Sequence, residues 1–376
     1  MKQKTVLISI NASWNIVNFR SGLIAALRRA GYRVVALAPA DAYSGRFAAL
    51  GVDYLPIEMD KQGISPFRDL ALFWRYYRVL RRLRPDIFLG YTAKPNVYGS
   101  LAAHLLGIKV INNVSGLGTA FIRRGPLTRI VGGLYRLAFR RSAIVFFQND
   151  EDRALFVAEG IVRPGQARLL PGSGVDLERF NPAAPLSDPP GGFVFLLVAR
   201  LLWDKGVGEY VEAARMVRKE APAARFQLLG FLDVPNRTAV ARSDVERWAA
   251  EGLIEYLGET DDVRPFIAAA DCIVLPSYRE GLPRTLLEAA AMAKPLIATD
   301  VPGCRQVVEH GANGLLCAAR DARSLAEAML AMLRLSPSER RALGAAGRAK
   351  VESEYDERIA VGRYLDAIGE AVGGAS

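Results

Sequence analysis

Short apolar runs, each followed by a segment patterned as a helix, recur along the chain and restrict it to an α/β architecture. Residues 5–10 are the first such run. After a loop containing Asn11, Trp14, Asn15 and Asn18, a helix is predicted over about 19–30, stopped by Gly31, and residues 32–38 form the next strand before Pro39. Strands are also predicted over 51–57, 84–90, 109–113 and 143–147, separated by helical segments over 66–83, from the loop 91–96 through His104, and over 127–140. Between Leu169 and Gly192 the texture changes to a Pro- and Gly-dense stretch, which marks a domain boundary. The alternation then restarts with 193–199, the most hydrophobic run, and continues through strands at 225–230, 254–258, 272–275, 295–299 and 314–317 to three closing helices. Two such halves imply a cleft, where ligands usually bind.

The first crossing loop, Asn11-Ala12-Ser13-Trp14-Asn15, carries side chains where the G-x-G-x-x-G dinucleotide fingerprint needs bare backbone, which argues against a nicotinamide or flavin enzyme. The formal net charge of +10 favours anionic partners such as nucleotide phosphates, nucleic acid or an anionic membrane face. Cys272, Cys304 and Cys317 are scattered and show no metal spacing, which fits a reducing compartment better than a disulfide framework. No uninterrupted run reaches the roughly 18 apolar residues of a spanning helix, so membrane association is expected to be peripheral.

Candidate chemistry gathers around Glu280 and Glu288. The buried run 272–275 is closed by Pro276, and a helix is predicted from Leu286 onward, so both carboxylates stand around a strand–loop–helix junction. In an open α/β sheet that edge takes the ligand, and a carboxylate there accepts hydrogen bonds from sugar or ribose hydroxyls. The alternative reading makes Glu280 a solvated loop charge and Glu288 a first-turn charge favourable to the helix dipole. Arg200 and Lys205 follow the strongest strand of the second half, a fork of donors and a point charge suited to a diphosphate. No Asp-x-Asp lies within a predicted strand; Asp150-Glu151-Asp152 falls where a helix starts, and this charge work is expected without a metal.

These residues carry a resemblance. Ala199-Arg200 with Lys205-Gly206, the segment Leu257-Gly258-Glu259-Thr260-Asp261-Asp262-Val263, the run Ala270 to Ser277 and the E-x7-E element Glu280–Glu288 resemble the GT-B glycosyltransferases of the large retaining family 4, especially its bacterial polysaccharide and lipid-linked-oligosaccharide branch. Ser115-Gly116-Leu117-Gly118, Phe146 to Asp150 and Leu170 to Asp176 match as well, in order along nearly the whole chain. The resemblance implies an α/β GT-B fold, two Rossmann-like domains facing across a cleft. An acceptor-binding domain would span 1–182 and a nucleotide-sugar-binding domain 183–355, with a C-terminal helix over 356–376 packing back toward the first. It implies that Arg200 and Lys205 hold the donor diphosphate, Glu288 binds the ribose and Glu280 faces the transferred sugar. Gly281, Leu282 and Pro283 would help place sugar and phosphates, and Tyr256, Leu257 and Gly258 would line the base pocket. Retention by a front-face route needs no protein nucleophile, in keeping with the lack of a glycosidase-like carboxylate pair. Many members carry a histidine after the strand that here reads Val110 to Ser115. This chain has only His104, expected to be structural, and His310, leaving Asn113 or Ser115, beside Gly116, to take the sugar contact. Lys94 is expected on the acceptor side, as a ligand of a lipid diphosphate.

The basic, aromatic-rich segments 74–84 and 121–141 suit an interfacial surface on an anionic leaflet; the alternative is helices packed on their own sheet with snorkelling arginines. The expected enzyme is a metal-independent retaining glycosyltransferase at the cytoplasmic face of the inner membrane, without a cofactor. It would move a hexose or N-acetylhexosamine from a UDP-sugar to a polyprenyl-diphosphate-linked sugar in envelope or capsular polysaccharide assembly. Two alternatives stand beside it: transfer to a soluble sugar phosphate or small metabolite, and a nucleic-acid-binding protein. The last is suggested only by charge, because the arginines form no recognition motif, and no nucleic-acid partner is expected.

Overall fold

The computed structural model describes residues 3–60, 65–116, 126–182, 192–234, 236 and 238–373. Leu117 to Thr119, the arginines Arg123 and Arg124 and residues 183–191 of the Pro/Gly stretch lie outside them.

The chain divides into two units, Met1–Ser173 with Glu357–Ser376, and Gly174–Asp356. The first is built on a parallel sheet of β1 (Thr5–Ser9), β2 (Arg33–Ala38), β3 (Asp53–Pro56), β4 (Ile87–Tyr91), β5 (Lys109–Val114), β6 (Ile144–Phe147) and β7 (Ala167–Leu169), in the order β3-β2-β1-β4-β5-β6-β7. Its helices are α1 (Ser13–Phe19), α2 (Ser21–Arg29), α3 (Pro66–Leu83), α4 (Ser100–Leu105), α5 (Pro126–Phe139) and α6 (Asp150–Ala158). Alternate strand residues serve opposite layers: Val6 and Ile8 join a core with α2, while Leu7 joins one with α3 and α4.

The second unit repeats the plan with β8 (Val194–Val198), β9 (Arg225–Leu229), β10 (Glu255–Tyr256), β11 (Cys272–Leu275), β12 (Leu296–Thr299) and β13 (Gly314–Cys317), all parallel in the order β10-β9-β8-β11-β12-β13. Around it lie α7 (Val207–Glu220), α8 (Arg242–Ala250), α9 (Arg264–Ala269), α10 (Arg284–Ala291), α11 (Cys304–Val307), α12 (Ala322–Arg334) and α13 (Pro337–Glu354). Both sheets are covered on two faces, which is why their strands read as unbroken apolar runs. The strand order reverses between β1 and β4 in one sheet and between β8 and β11 in the other. Those are the topological switch points, where loops diverge and open a crevice at the C-terminal edge.

The last helix, α14 (Glu357–Gly373), belongs to the N-terminal unit, where Ala360, Tyr364, Ala367, Ile368 and Ala371 complete the core over β1 and β4. Arg168 holds its outer side through Glu370 at 2.7 Å. The boundary falls at 173 rather than 182. Val175 N donates to Tyr355 O at 2.8 Å, and Phe180 is buried among residues of the second sheet with its carbonyl on Arg348 Nη1, also 2.8 Å. The stretch 174–182 is therefore fixed to the second unit although its composition resembles a linker.

Sequence and structure also part at residues 11–18. The expected loop contains α1, held because Ser13 Oγ donates to Pro39 O at 2.8 Å and Ile16 is buried in the core. Tertiary contacts override the weak helix propensity of Ser and Asn there.

Candidate functional site

The second unit's switch point is built by three loops that lock one another. After β8, Arg200 is exposed, and Trp203–Lys205 form a single turn that ends in the left-handed Gly206, φ 72°. A Cβ on Gly206 would lie 2.1 Å from Pro276 O, so the turn can close against the loop after β11 only with glycine there. Asp204 O accepts from Tyr278 N at 2.9 Å and from Ser277 Oγ at 3.2 Å, and Thr238 Oγ1 donates to Asp204 Oδ2 at 3.0 Å. The buried Thr299, at the end of β12, donates its hydroxyl to Ser277 O. Gly303, φ 85°, brings the third loop under the second: a Cβ there would lie 2.6 Å from Gly281 O and 2.7 Å from Glu280 O. Glu280 is thus held from below by backbone and from the side by the β8 loop.

Into this frame Lys205 and Glu280 project as an ion pair, both largely shielded from solvent. One turn into α10, Arg284 Nε donates to Glu288 Oε1 at 2.7 Å, with both side chains again mostly buried. Arg284 also donates from Nη1 to Gly174 O at 3.3 Å, and Thr285 Oγ1 ties the helix to Val198 O at 3.0 Å. Burial pushes the Glu288 carboxyl above its ordinary range, opposed by the Arg284 guanidinium and by Arg179, with Asp262 acting in the same sense as burial. A carboxylate kept at this expense is suited to accept hydrogen bonds from hydroxyl donors. Glu288 is the fifth residue of α10, so its first-turn dipole role lapses.

Pro283 caps α10, Gly281 is buried, and Leu282 packs at the rim of the same core as Leu257. On the other side of β8, Tyr256 donates its hydroxyl to Gly230 O at 3.0 Å, and Gly230 N donates to Gly258 O at 2.8 Å. Gly230 itself lies so close that a Cβ would sit 1.7 Å from Ala199 O. The structure therefore brings Arg200, Lys205, Glu280, Gly281, Leu282, Pro283, Glu288, Tyr256 and Leu257 to one edge of one sheet. Sequence reasoning passed over Arg284, although its i, i+4 spacing to Glu288 was readable, and over Asp204, whose role appears only when the loops meet. The thiols offer no nucleophile: Cys304 is buried and raised by burial and by nearby Glu280, and burial raises Cys317 to about 12. Among the described residues no three His, Cys, Asp or Glu side chains come together to hold a metal ion.

The N-terminal expectations fare differently. Lys94 pairs with Asp69 of α3 at 2.8 Å, and Tyr98 OH donates to the same carboxylate at 2.9 Å, so an anion reaching Lys94 would have to compete with Asp69. Asn113 is buried; its Nδ2 donates to Tyr364 OH at 2.7 Å and its Oδ1 accepts from Ser115 Oγ at 2.9 Å. Both ends are occupied, and the side chain braces α14 against β5. Ser115 is half-buried beside it, and Gly116, φ 131°, ends the described segment. His104 pairs with Ala138 O at 2.9 Å, the structural role expected.

Residues 192–334 match the family profile described as "Glycosyl transferases group 1", and residues 17–172 match "Glycosyl transferase 4-like domain". The chain is 29% identical over 371 residues, 94% of its own length and 96% of the relative's, to the N,N'-diacetylbacillosaminyl-diphospho-undecaprenol alpha-1,3-N-acetylgalactosaminyltransferase of Campylobacter jejuni. It is 26% identical over 281 residues, 72% of each chain, to an Escherichia coli UDP-Gal:alpha-D-GlcNAc-diphosphoundecaprenol alpha-1,3-galactosyltransferase. Anabaena HepE, crystallised with UDP and glucose, superposes with a TM-score of 0.77 at 16% identity over 97% of this chain and 99% of its own.

Proposed function

The chain belongs to the family 4 glycosyltransferases of GT-B fold, and from that premise we propose that it moves a hexose or N-acetylhexosamine from a UDP-sugar to a polyprenyl-diphosphate-linked sugar in polysaccharide assembly. The transfer retains anomeric configuration and uses no metal. The observation that carries the reading is the Lys205–Glu280 and Arg284–Glu288 constellation at a sheet's switch point. It occurs in a chain similar over 94% of its length to an enzyme named for a diphospho-undecaprenol acceptor.

In this reading Arg200 and Lys205 neutralise the donor diphosphate, and their attraction grows as charge builds on the departing phosphate oxygen. Lys205 exchanges part of its contact with Glu280 for that oxygen, which frees Glu280 to accept a hydrogen bond from the transferred sugar. Glu288, steadied by Arg284, accepts from the ribose hydroxyls. The bond between anomeric carbon and phosphate oxygen breaks, the acceptor oxygen bonds the same face of that carbon, and its proton passes to the leaving phosphate. No protein nucleophile is needed.

Contact with an anionic bilayer is supported by the surface of the first unit. Among the described residues every exposed large apolar side chain except Trp203 and Met216 lies on α3, α4 or α5, with Phe67 87%, Trp74 48%, Ile130 63% and Leu137 56% exposed. Of the expected α5 stripe, Leu134 turns toward the core while Ile130 and Leu137 face out. Exposed Arg78, Arg81, Arg82, Arg129, Arg136 and Arg140 flank them, and Asp69 is the only acid in these three helices. Apolar residues ringed by arginine suit the headgroup region of an anionic leaflet, and the cytoplasmic face supplies one. No helix among the described residues is long and apolar enough to cross a membrane.

Transfer measured with UDP-, GDP- and ADP-sugars against an undecaprenyl-diphosphate-linked monosaccharide tests the proposal. Turnover with UDP-sugars alone is expected. No turnover with any donor on that acceptor would refute it, and turnover only on soluble sugar phosphates would replace the acceptor.

A further inference from the structure

Among the described residues Arg20 is the only basic side chain that is buried, 6% exposed. It stands between α1 and α2, on the loop side of β1, and its guanidinium lies 4.5 Å above the ring of Tyr91, the last residue of β4. β1 and β4 flank the switch point of the first sheet, so Arg20 stands beside the place at which this kind of sheet binds its ligand. Its hydrogen bonding is incomplete. Nη1 donates to Phe19 O, its own neighbour, at 2.9 Å, while Nε is buried without a partner, and no acid among the described residues pairs with it. On the same loop-and-helix segment the Asn15 Oδ1 acceptor is also buried and unpartnered.

Burying an unpaired guanidinium is strongly unfavourable, and stacking on one tyrosine returns only part of that cost. A structural arginine in such a place is normally matched by a carboxylate, as Arg284 is matched by Glu288 in the other unit. Here the surrounding groups are the phenols of Tyr91 and Tyr364, both held neutral by burial and both sensing the Arg20 charge. The position asks for an anion that the protein itself does not provide.

We propose that Arg20 is the anion-binding residue of the N-terminal unit and takes a phosphate oxygen of a diphosphate, with Asn15 accepting from an adjacent hydroxyl. Resting on the function proposed above, that diphosphate is the one joining lipid to sugar in the acceptor. The same chemistry would hold free pyrophosphate, which makes pyrophosphate a usable probe.

Thermal unfolding of the full chain is followed with and without inorganic pyrophosphate, in the presence of saturating UDP to occupy the donor side, for the wild type, Arg20→Met and Arg20→Lys. Pyrophosphate is expected to raise the wild-type Tm, to leave that of Arg20→Met unmoved, and to raise that of Arg20→Lys by a smaller amount. Without pyrophosphate, Arg20→Met is expected to melt no lower than the wild type, because it removes an uncompensated charge. In transfer assays Arg20→Met should raise the acceptor KM at least tenfold. An equal pyrophosphate shift in wild type and Arg20→Met, no shift in either, or an Arg20→Met chain that is markedly less stable or fails to fold would each overturn the proposal. The pyrophosphate arm involves no glycosyl acceptor, so its failure is distinguishable from failure of the transfer reaction. A wild-type-specific shift combined with no transfer to lipid acceptors would uphold the anion site and reject the acceptor.

Discussion

Gly206→Ala tests whether the donor-side loops are locked as the geometry indicates. The substitution has two costs. At φ 72° an L-residue with a Cβ pays about 1 kcal/mol for the left-handed conformation. The new methyl would also lie 2.1 Å from Pro276 O, where ordinary contact begins at 3.4 Å. Pro276 cannot simply retreat, since the next residue is fixed by Thr299 on one side and by Asp204 on the other. Overpacking of this kind costs about 1–3 kcal/mol, so a total near 3 kcal/mol is expected. Relief requires the β8 and β11 loops to separate, which pulls Lys205 from Glu280. If half to most of that strain falls on the transition state, kcat/KM drops roughly 10- to 100-fold. Urea unfolding in a Trp14→Phe/Trp74→Phe background confines fluorescence to Trp203 and Trp248, whose rings lie 6.0 Å apart in the same unit. A change below about 0.5 kcal/mol with unaltered kcat/KM would refute the interlocking.

Three further outcomes follow from the same geometry. Burial raises the Glu288 carboxyl above 4.5, so the folded chain holds this proton more tightly than the unfolded one. The resulting penalty is absent below the unfolded value, grows as pH rises through the interval up to the folded value, and is full above it. Glu288→Gln should therefore melt higher than the wild type at neutral pH, converge with it near pH 4, and bind UDP-sugar more weakly in calorimetry. Arg284→Met strips that carboxylate of its cation and should cost about 3 kcal/mol, most of it recovered in the double variant with Glu288→Gln. Ile130→Glu/Leu137→Glu should abolish flotation with anionic vesicles and leave turnover on a short-chain, water-soluble acceptor unchanged; retained flotation would rule out α5 as a contact.

How much of this was legible depended on whether the cause was local. The run 272–275 with Pro276 announced β11 because a strand buried on both faces must be apolar throughout, and Glu280 and Glu288 could be placed at its end for the same reason. The Lys205–Glu280 pair was not legible as a pair, since 75 residues separate its members and only the sheet order brings β8 beside β11. The bracing contact of Asn113 was not legible because its partner, Tyr364, lies 251 residues away on α14. The Lys94 pair was hidden in the same way, because Asp69 sits on a different helix. Arg20 stands in the sequence as one basic residue among many. Nothing in a linear pattern says that its guanidinium lies over Tyr91.

The two sheets carry one device in two states of completion. Each places a cation at the loop between its central strands, Lys205 beside β8 and Arg20 beside β1. In the second unit the cation has a carboxylate to lean on. If it takes the donor diphosphate as proposed, that diphosphate would compete with Glu280 for it, and Glu280 would be released, still held by its loop, when the diphosphate arrives. In the first unit no acid competes, and the whole cost of the buried charge is available as affinity for an anion. A carboxylate introduced by Tyr91→Glu would supply the missing partner from within. It should raise stability and abolish acceptor binding together, whereas a loss of both would mean that Tyr91 is needed for packing alone.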